Sequence, residues 1–354
     1  MVTTNDEAVS TVWNIHHSPR KRPRVPRFAA DPFDALPDDL VLSILSRLAS
    51  SASRPADFIS VISTCKRLKR LAVSSTVLST VSLKVFAIRA SNWSDEAHHF
   101  FKLCADAGNM DACYTLGMIR FYCLENRGGG TSLMAKAAMA SHSAALYSLA
   151  IIQFNGSGGS NSDKDLRAGV ALCARAAFLG HVDAMREVGH CLQDGYGVRK
   201  NIMEGRRFLI QANARELATA LISARELSPH GCQIRDSTIV GGCPLLSYFG
   251  CNVPVPESHP ANQFLVEWFG SRRVGAPGLR LCWHGGCGRL ETRIQEFRKC
   301  SVCRAANYCS RACQAVDWKL RHKAECIPVG LWVEEDGDDR VRAEAGGNVV
   351  MVDS

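Results

Sequence analysis

A chain of 354 residues with 46% hydrophobic content is long enough for two or three domains and apolar enough to give each a core. No apolar run approaches the roughly 20 residues that span a bilayer, and the N-terminus, M-V-T-T-N-D-E-A, lacks the apolar centre of a secretory signal. An intracellular chain without membrane segments is expected. The formal charge of +8 is unevenly spread: residues 8 to 30 hold no acid, whereas Glu334, Glu335, Asp336, Asp338 and Asp339 crowd the C-terminal tail.

Residues 1 to 30 read as a disordered basic segment. Pro19, Pro23 and Pro26 interrupt any helix, and Arg20, Lys21, Arg22, Arg24 and Arg27 repel one another. Such a run serves as a nuclear-import signal or a weak nucleic-acid arm, with import the favoured reading. The bland alternative is a solvated tail. A nuclear and/or cytoplasmic location is expected.

Residues 31 to 75 predict a pair of amphipathic helices. Pro37 suits a first helical turn, and Asp38 and Asp39 favour that end through the helix dipole. Leu36, Leu40, Ile44 and Leu48 recur every four residues, with Val41 and Leu45 beside them. Pro55 and Asp57 open the second helix, whose stripe is Phe58, Val61, Ile62, Cys65 and Leu68. The order L-P-x-x-L, I-L-x-x-L, C-K-R-L resembles the F-box. That resemblance implies docking on a Skp-type adaptor and thereby on a cullin ubiquitin ligase. Leu36, Pro37, Leu40, Ile44, Leu45 and Leu48 would then face the adaptor.

Residues 96 to 227 are internally repetitive. A-C-Y-T-L-G from Ala112, A-L-Y-S-L-A from Ala145 and A-M-R-E-V-G from Ala184 align at spacings of 33 and 39. The second and third copies continue into Gly156-Ser157-Gly158 and Gly195-Tyr196-Gly197, while the first lacks this turn. Small residues at fixed spacing let helices pack closely, and units of this length stack into a solenoid. The pattern resembles Sel-like repeats, relatives of the tetratricopeptide class. Function is expected on an exposed groove of the solenoid.

The connector, residues 228 to 281, holds Cys232, Cys243, Cys251, His230 and His259 at irregular spacing. Buried free thiols are favoured there over a third metal site. N-Q-F-L-V-E-W-F, from Asn262, reads as a short amphipathic helix. Residues 327 to 354 read as a disordered acidic tail.

Residues 282 to 326 carry the strongest signal, with seven of the chain's 16 cysteines. Cys282 and Cys287, Cys300 and Cys303, Cys309 and Cys313, and His322 and Cys326 form close pairs. Two pairs complete one closed tetrahedral site, so eight ligands point to two structural zinc ions with no position for a catalytic water. Disulfides are disfavoured because nothing directs the chain to an oxidising compartment. Spacing alone leaves open which pairs share an ion. C-x2-C, Tyr308-Cys309, C-x3-C, Gln314, Asp317-Trp318 and H-x3-C resemble the MYND zinc finger. The resemblance implies interleaving, with Cys282, Cys287, Cys309 and Cys313 on one ion and Cys300, Cys303, His322 and Cys326 on the other. It also implies that Ser301, Gln314 and Trp318 receive a proline-containing peptide.

Two departures stand out. Four residues instead of two separate Cys282 from Cys287, which leaves His284 as an alternative ligand, and the step from Trp318 to His322 is one residue longer than the usual spacing. Loss of Cys300 is expected to unfold the finger without melting the repeats.

The whole predicts a mainly α protein: F-box helices, an α-solenoid of helical hairpins and a two-zinc finger. It resembles plant F-box proteins with a MYND finger, which implies a substrate receptor of a cullin-based ligase that performs no chemistry itself. A RING ligase would place its histidine mid-cluster, and a methyltransferase needs a SET domain where the repeats lie. The remaining alternative is a nuclear transcription cofactor or nucleic-acid-associated adaptor, since the finger holds nine Lys and Arg against four Asp and Glu. Nucleic-acid contact is the less favoured use of that charge.

Overall fold

The computed structural model describes residues 35–226, 257–271 and 278–329. The basic segment, Cys232, Cys243, Cys251, His230 and the acidic tail lie outside the described residues.

The N-terminal module holds α1 (Asp38–Ser51), α2 (Pro55–Ile62), α3 (Lys66–Ala72) and α4 (Ser75–Leu78). The second predicted helix is thus two. Ser63 and Thr64 turn their hydroxyls back onto the carbonyls of Ile59 and Val61 and end α2. Cys65, expected on an apolar stripe, is exposed and caps α3 by accepting the Leu68 N–H. Pro37 stands just outside α1 as its N-cap. Asp38 holds Arg67 and Arg70 of α3 at 2.7 and 3.0 Å. The side-chain pairing of Asp57 with Arg54 and its bond to the Arg54 N–H box the start of α2. Val41, Leu45 and Ala49 form the inward stripe of α1 against Phe58, Ile62 and Ala72, each large side chain contributing about 1.5–3 kcal/mol by burial.

This module is sewn to the repeats. The Asn109 amide donates to the carbonyls of Leu78 and Val81 at 3.2 and 2.8 Å, and Phe86 meets the edge of Phe101.

The solenoid comprises α5 (Asp95–Asp106), α6 (Met110–Tyr122), α7 (Arg127–Met139), α8 (Ser143–Asn155), α9 (Leu166–Phe178), α10 (Val182–Asp194) and α11 (Ile202–Glu226). Its register is written in the caps. Asn109, His142 and His181 stand at equivalent positions, and each accepts the N–H three residues on, from Ala112, Ala145 and Ala184. Helix crossings use the small residues: a Cβ at Gly117 would lie 3.0 Å from the Gly130 carbonyl, and one at Gly205 would lie 2.7 Å from the Gly189 carbonyl. Gly156 and Gly195 end α8 and α10 in the left-handed conformation. In the first copy, which lacks that glycine turn, Glu125 carries the positive φ instead.

The connector contains α12 (Pro260–Ser271), which buries Ala261, Phe264, Leu265, Trp268 and Phe269. It is a wedge and not a linker. Phe264 meets the edge of Trp93, Glu267 accepts the Ala90 N–H at 3.0 Å, and Asn262 donates to the Cys287 carbonyl at 2.9 Å. At Gly288, whose φ is +68°, a Cβ would sit 2.6 Å from the Val266 nitrogen, so only glycine lets the finger approach α12 this closely.

The finger itself pairs β1 (Arg298–Lys299) antiparallel with β2 (Asn307–Tyr308), followed by α13 (Arg311–Asp317) and a π-helical turn over Trp318–His322.

Candidate metal centre and the groove beside it

The fold gathers two quartets of ligand atoms, each mutually within 4.8 Å: Cys282, Cys287, Cys309 and Cys313, and Cys300, Cys303, His322 and Cys326. A zinc–sulfur bond of about 2.3 Å sets tetrahedral sulfur separations near 3.8 Å. Cys287 and Cys313 each lie 3.6 Å from Cys309, and Cys300 lies 3.9 Å from Cys326. The His322 Nε2 lies 3.5 Å from Cys303 Sγ, as the shorter zinc–nitrogen bond requires. The donor sets fit zinc.

Both departures in spacing have local causes. Between Cys282 and Cys287 the chain turns on a bond from the Cys287 N–H to the His284 carbonyl. Cys282 joins the quartet and His284 stays outside it. The extra residue before His322 is taken up by the π turn, a one-residue bulge of a kind that re-aims side chains at functional sites.

Four thiolates on one zinc leave a net charge of −2 in a buried place. Arg289, itself buried, lies 3.5 Å from Cys287 Sγ and donates to Ser148 at 2.9 Å. Burial disfavours its charge, but the sulfurs of Cys287 and Cys309 more than restore it.

Ser148 belongs to the second repeat, and its position is general. The face of the solenoid expected to be an open groove is filled by the finger. Tyr147 meets Ser310 at 3.1 Å, Asn155 donates to the Cys309 carbonyl at 2.9 Å, and Glu187 accepts the Ala312 N–H at 2.9 Å. Arg311 lies 3.6 Å from Glu187 and 3.1 Å from Asp194, and stacks over Tyr196 at 4.0 Å. Lys319 reaches Glu216 at 3.1 Å. Glu187 is 2% exposed; burial pushes its carboxyl up, against the Ala312 N–H and the Arg311 guanidinium. The finger therefore packs as part of the repeat body, which makes the expectation that it unfolds alone a question of how much these contacts hold.

The six residues predicted to face an adaptor divide. Leu40 and Ile44 are 49% and 42% exposed, Pro37 is exposed, and Leu36 and Leu48 are half-buried. Leu45 is 2% exposed and belongs to the module's own core, because it lies on the inward stripe with Val41 and Ala49.

Residues 282–326 match the MYND finger family, and residues 83–172 match the family of plant tetratrico peptide repeats. The chain is 63% identical over 330 residues to F-box protein At1g67340 of Arabidopsis thaliana, covering 90% of this chain and 87% of that protein. It is 59% identical over 313 residues to F-box protein At5g50450 of the same plant, covering 87% and 89%. The chain belongs to this family of F-box proteins. A Sel1 repeat protein from Oxalobacter formigenes aligns at 20% identity and a TM-score of 0.30, over 36% of this chain and 95% of that one.

The F-box protein is thus an interaction adaptor with tetratricopeptide-type repeats and a finger that holds two zinc ions. Its residues implied in peptide binding are only partly brought together. Gln314 and Trp318, both half-buried, line a cavity of about 230 Å³ whose opposite wall is the solenoid, through Arg186, His190, Leu209 and Asn213. Ser301 is exposed on the knuckle and does not line that cavity. The solenoid wall escaped sequence reasoning, because its residues stand about 100 or more positions from Gln314 and Trp318.

Proposed function

We propose that this F-box protein is a substrate receptor of a cullin-type ubiquitin ligase. The observation that carries the reading is the outer stripe of α1. Leu40 and Ile44 lie exposed one turn apart while the adjacent stripe is fully used by the core. Exposed apolar residues in register on a rigid helix mark a docking face, and Pro37, Leu36 and Leu48 extend it. A Skp-type adaptor fits that face and links it to a cullin.

The repeat–finger body would hold the target, with a proline-containing peptide entering beside Trp318 and Gln314. An extended peptide of this kind loses little entropy on docking. The arginine run at residues 20 to 27 serves nuclear import in this reading. Replacing Arg20, Lys21, Arg22 and Arg24 with Ala should leave a fluorescent fusion cytoplasmic, and an unchanged nuclear signal would refute that role.

Affinity purification of the Leu40→Ala, Ile44→Ala double variant tests the main reading. The wild type should recover adaptor and cullin, and the folded double variant should lose both. Equal recovery would show that the stripe is not the docking face. Recovery of neither by the wild type would favour a cofactor that acts without a cullin.

A further inference from the structure

The finger carries a second cleft, of about 700 Å³, lined by Arg280, Lys299, Arg304, Arg321, Trp283 and Asn307 among others. The four cations are exposed, and no carboxylate lines the cleft. Arg321 has acidic neighbours, Asp317 at 3.4 Å and Glu325 at 3.6 Å. Among the described residues, the side chains of Arg280, Lys299 and Arg304 have no ion pair. Trp283 is 41% exposed, with the Arg321 guanidinium 5.8 Å from its ring centre.

A backbone feature singles out Arg304. It sits in the turn that closes the C-S-V-C knuckle, its N–H bonded to the Cys300 carbonyl, at a φ of +54°. A left-handed conformation is costly for a residue with a Cβ, and glycine avoids that cost. An arginine held there places a charge at the mouth of the cleft at the expense of local stability, a pattern that clusters at functional sites.

The chain's own sequence supplies the complement. The last described residue, Val329, donates its N–H to the Val302 carbonyl. Val302 is two residues from Arg304, no more than about 8 Å along the chain. Beyond Val329 come 25 residues, and Glu334, Glu335, Asp336, Asp338 and Asp339 begin five residues on, within a reach of about 17 Å. The length of chain after Val329 thus lets five carboxylates reach four cations.

We propose that the basic cleft is an acidic-peptide site whose occupant is the chain's own segment, residues 334 to 339. Nucleic acid fits less well. The acidic segment is covalently held near the cleft through Val329, whereas nothing in the chain brings a nucleic acid there, and Glu325 beside Arg321 adds a carboxylate that a longer polyanion would have to pass. Because the tether sets an effective concentration on the order of 1 mM, a segment whose own intrinsic Kd is about 0.1 mM or tighter weakens the binding of a free acidic peptide by a factor of about ten or more.

The test uses the full chain with its two zincs and a fluorescent peptide of residues 333 to 339 as the probe, read by anisotropy at low and high salt. A tail-neutralised variant carries Glu334→Gln, Glu335→Gln, Asp336→Asn, Asp338→Asn and Asp339→Asn. It should bind the probe at least tenfold more tightly than wild type, and added salt should weaken that binding. Adding Arg304→Gly, which suits the backbone there, should remove at least tenfold of the affinity while zinc content and melting temperature hold. Lys299→Gln should act in the same direction as a second variant. Equal probe binding by wild type and the tail-neutralised chain would overturn the proposal, as would undiminished binding in both cleft variants. Tighter binding of an octauridylate than of the probe, lost in Arg304→Gly, would make the cleft a phosphate site and overturn it too.

Discussion

The F-box module and the repeat–finger body solve opposite problems with the same kind of helix. In α1 one stripe, Val41, Leu45 and Ala49, is consumed by the core, while its neighbour, Leu40 and Ile44, is left to solvent. In the repeats the equivalent surplus is polar, Ser148 and Glu187, and it is spent inside the molecule on the finger. The module keeps its apolar face for another chain. The repeats close their polar face on their own. Exposure, and not composition, tells which surface is for partners.

The largest effect should come from breaking the second body at its metal. Cys300→Ala removes a ligand from a site whose apparent binding energy is about 10–16 kcal/mol. The finger should unfold, one or both zincs should be absent by native mass spectrometry, and the repeats should melt at least several degrees lower because their polar face is bared. An unchanged repeat melt would return the finger to the status of an appendage.

A milder break leaves the zinc ligands alone. Arg289→Ala takes a buried cation from between Cys287 and Ser148, and removing one partner of a buried charged pair costs about 3–5 kcal/mol. Denaturant unfolding should show that loss, and a change within 1 kcal/mol would mean the interface rests elsewhere. On the F-box side two leucines from neighbouring stripes should part company. Leu45→Ala should cost about 2–5 kcal/mol, whereas Leu40→Ala should stay within about 0.5 kcal/mol and act on adaptor binding instead. Equal melting temperatures for the two variants would erase the distinction between the stripes.

A smaller effect than the losses of metal and core is acidic. Burial, with His142 nearby, pushes His259 down to about 4; its Nδ1 accepts the Ala261 N–H at the start of α12, and its ring meets the edge of Tyr114. A depressed imidazole is neutral in the folded chain and takes up a proton more readily when unfolded. Its contribution is therefore whole above pH 6.5 and is lost as pH falls toward 4, about 1–2 kcal/mol by pH 5. His259→Gln should flatten the stability profile over that window. An identical slope in variant and wild type would assign the acid sensitivity to other groups.

What could be read from the sequence was local. The cysteine pairs, the repeat register from Ala112, Ala145 and Ala184, and the stripe of Leu40 and Ile44 all express spacing along one element. Illegible were the partners brought in from afar: Glu187 with Ala312, 125 residues on, and Tyr147 with Ser310, 163 on. Nor does periodicity say which of two adjacent apolar stripes turns inward, hence the misplacement of Leu45. The π turn before His322 is an intermediate case. The extra residue was visible, but its absorption without loss of the ligand needed the helix geometry.

Hydrogen exchange of the intact chain, with and without a zinc chelator, tests most directly whether finger and repeats are one body. Chelation should strip protection from residues 143–155 and 182–194, which carry Tyr147, Ser148, Asn155 and Glu187, while α1 to α3 keep theirs. Undiminished protection in α8 and α10 after both zincs have left would contradict it.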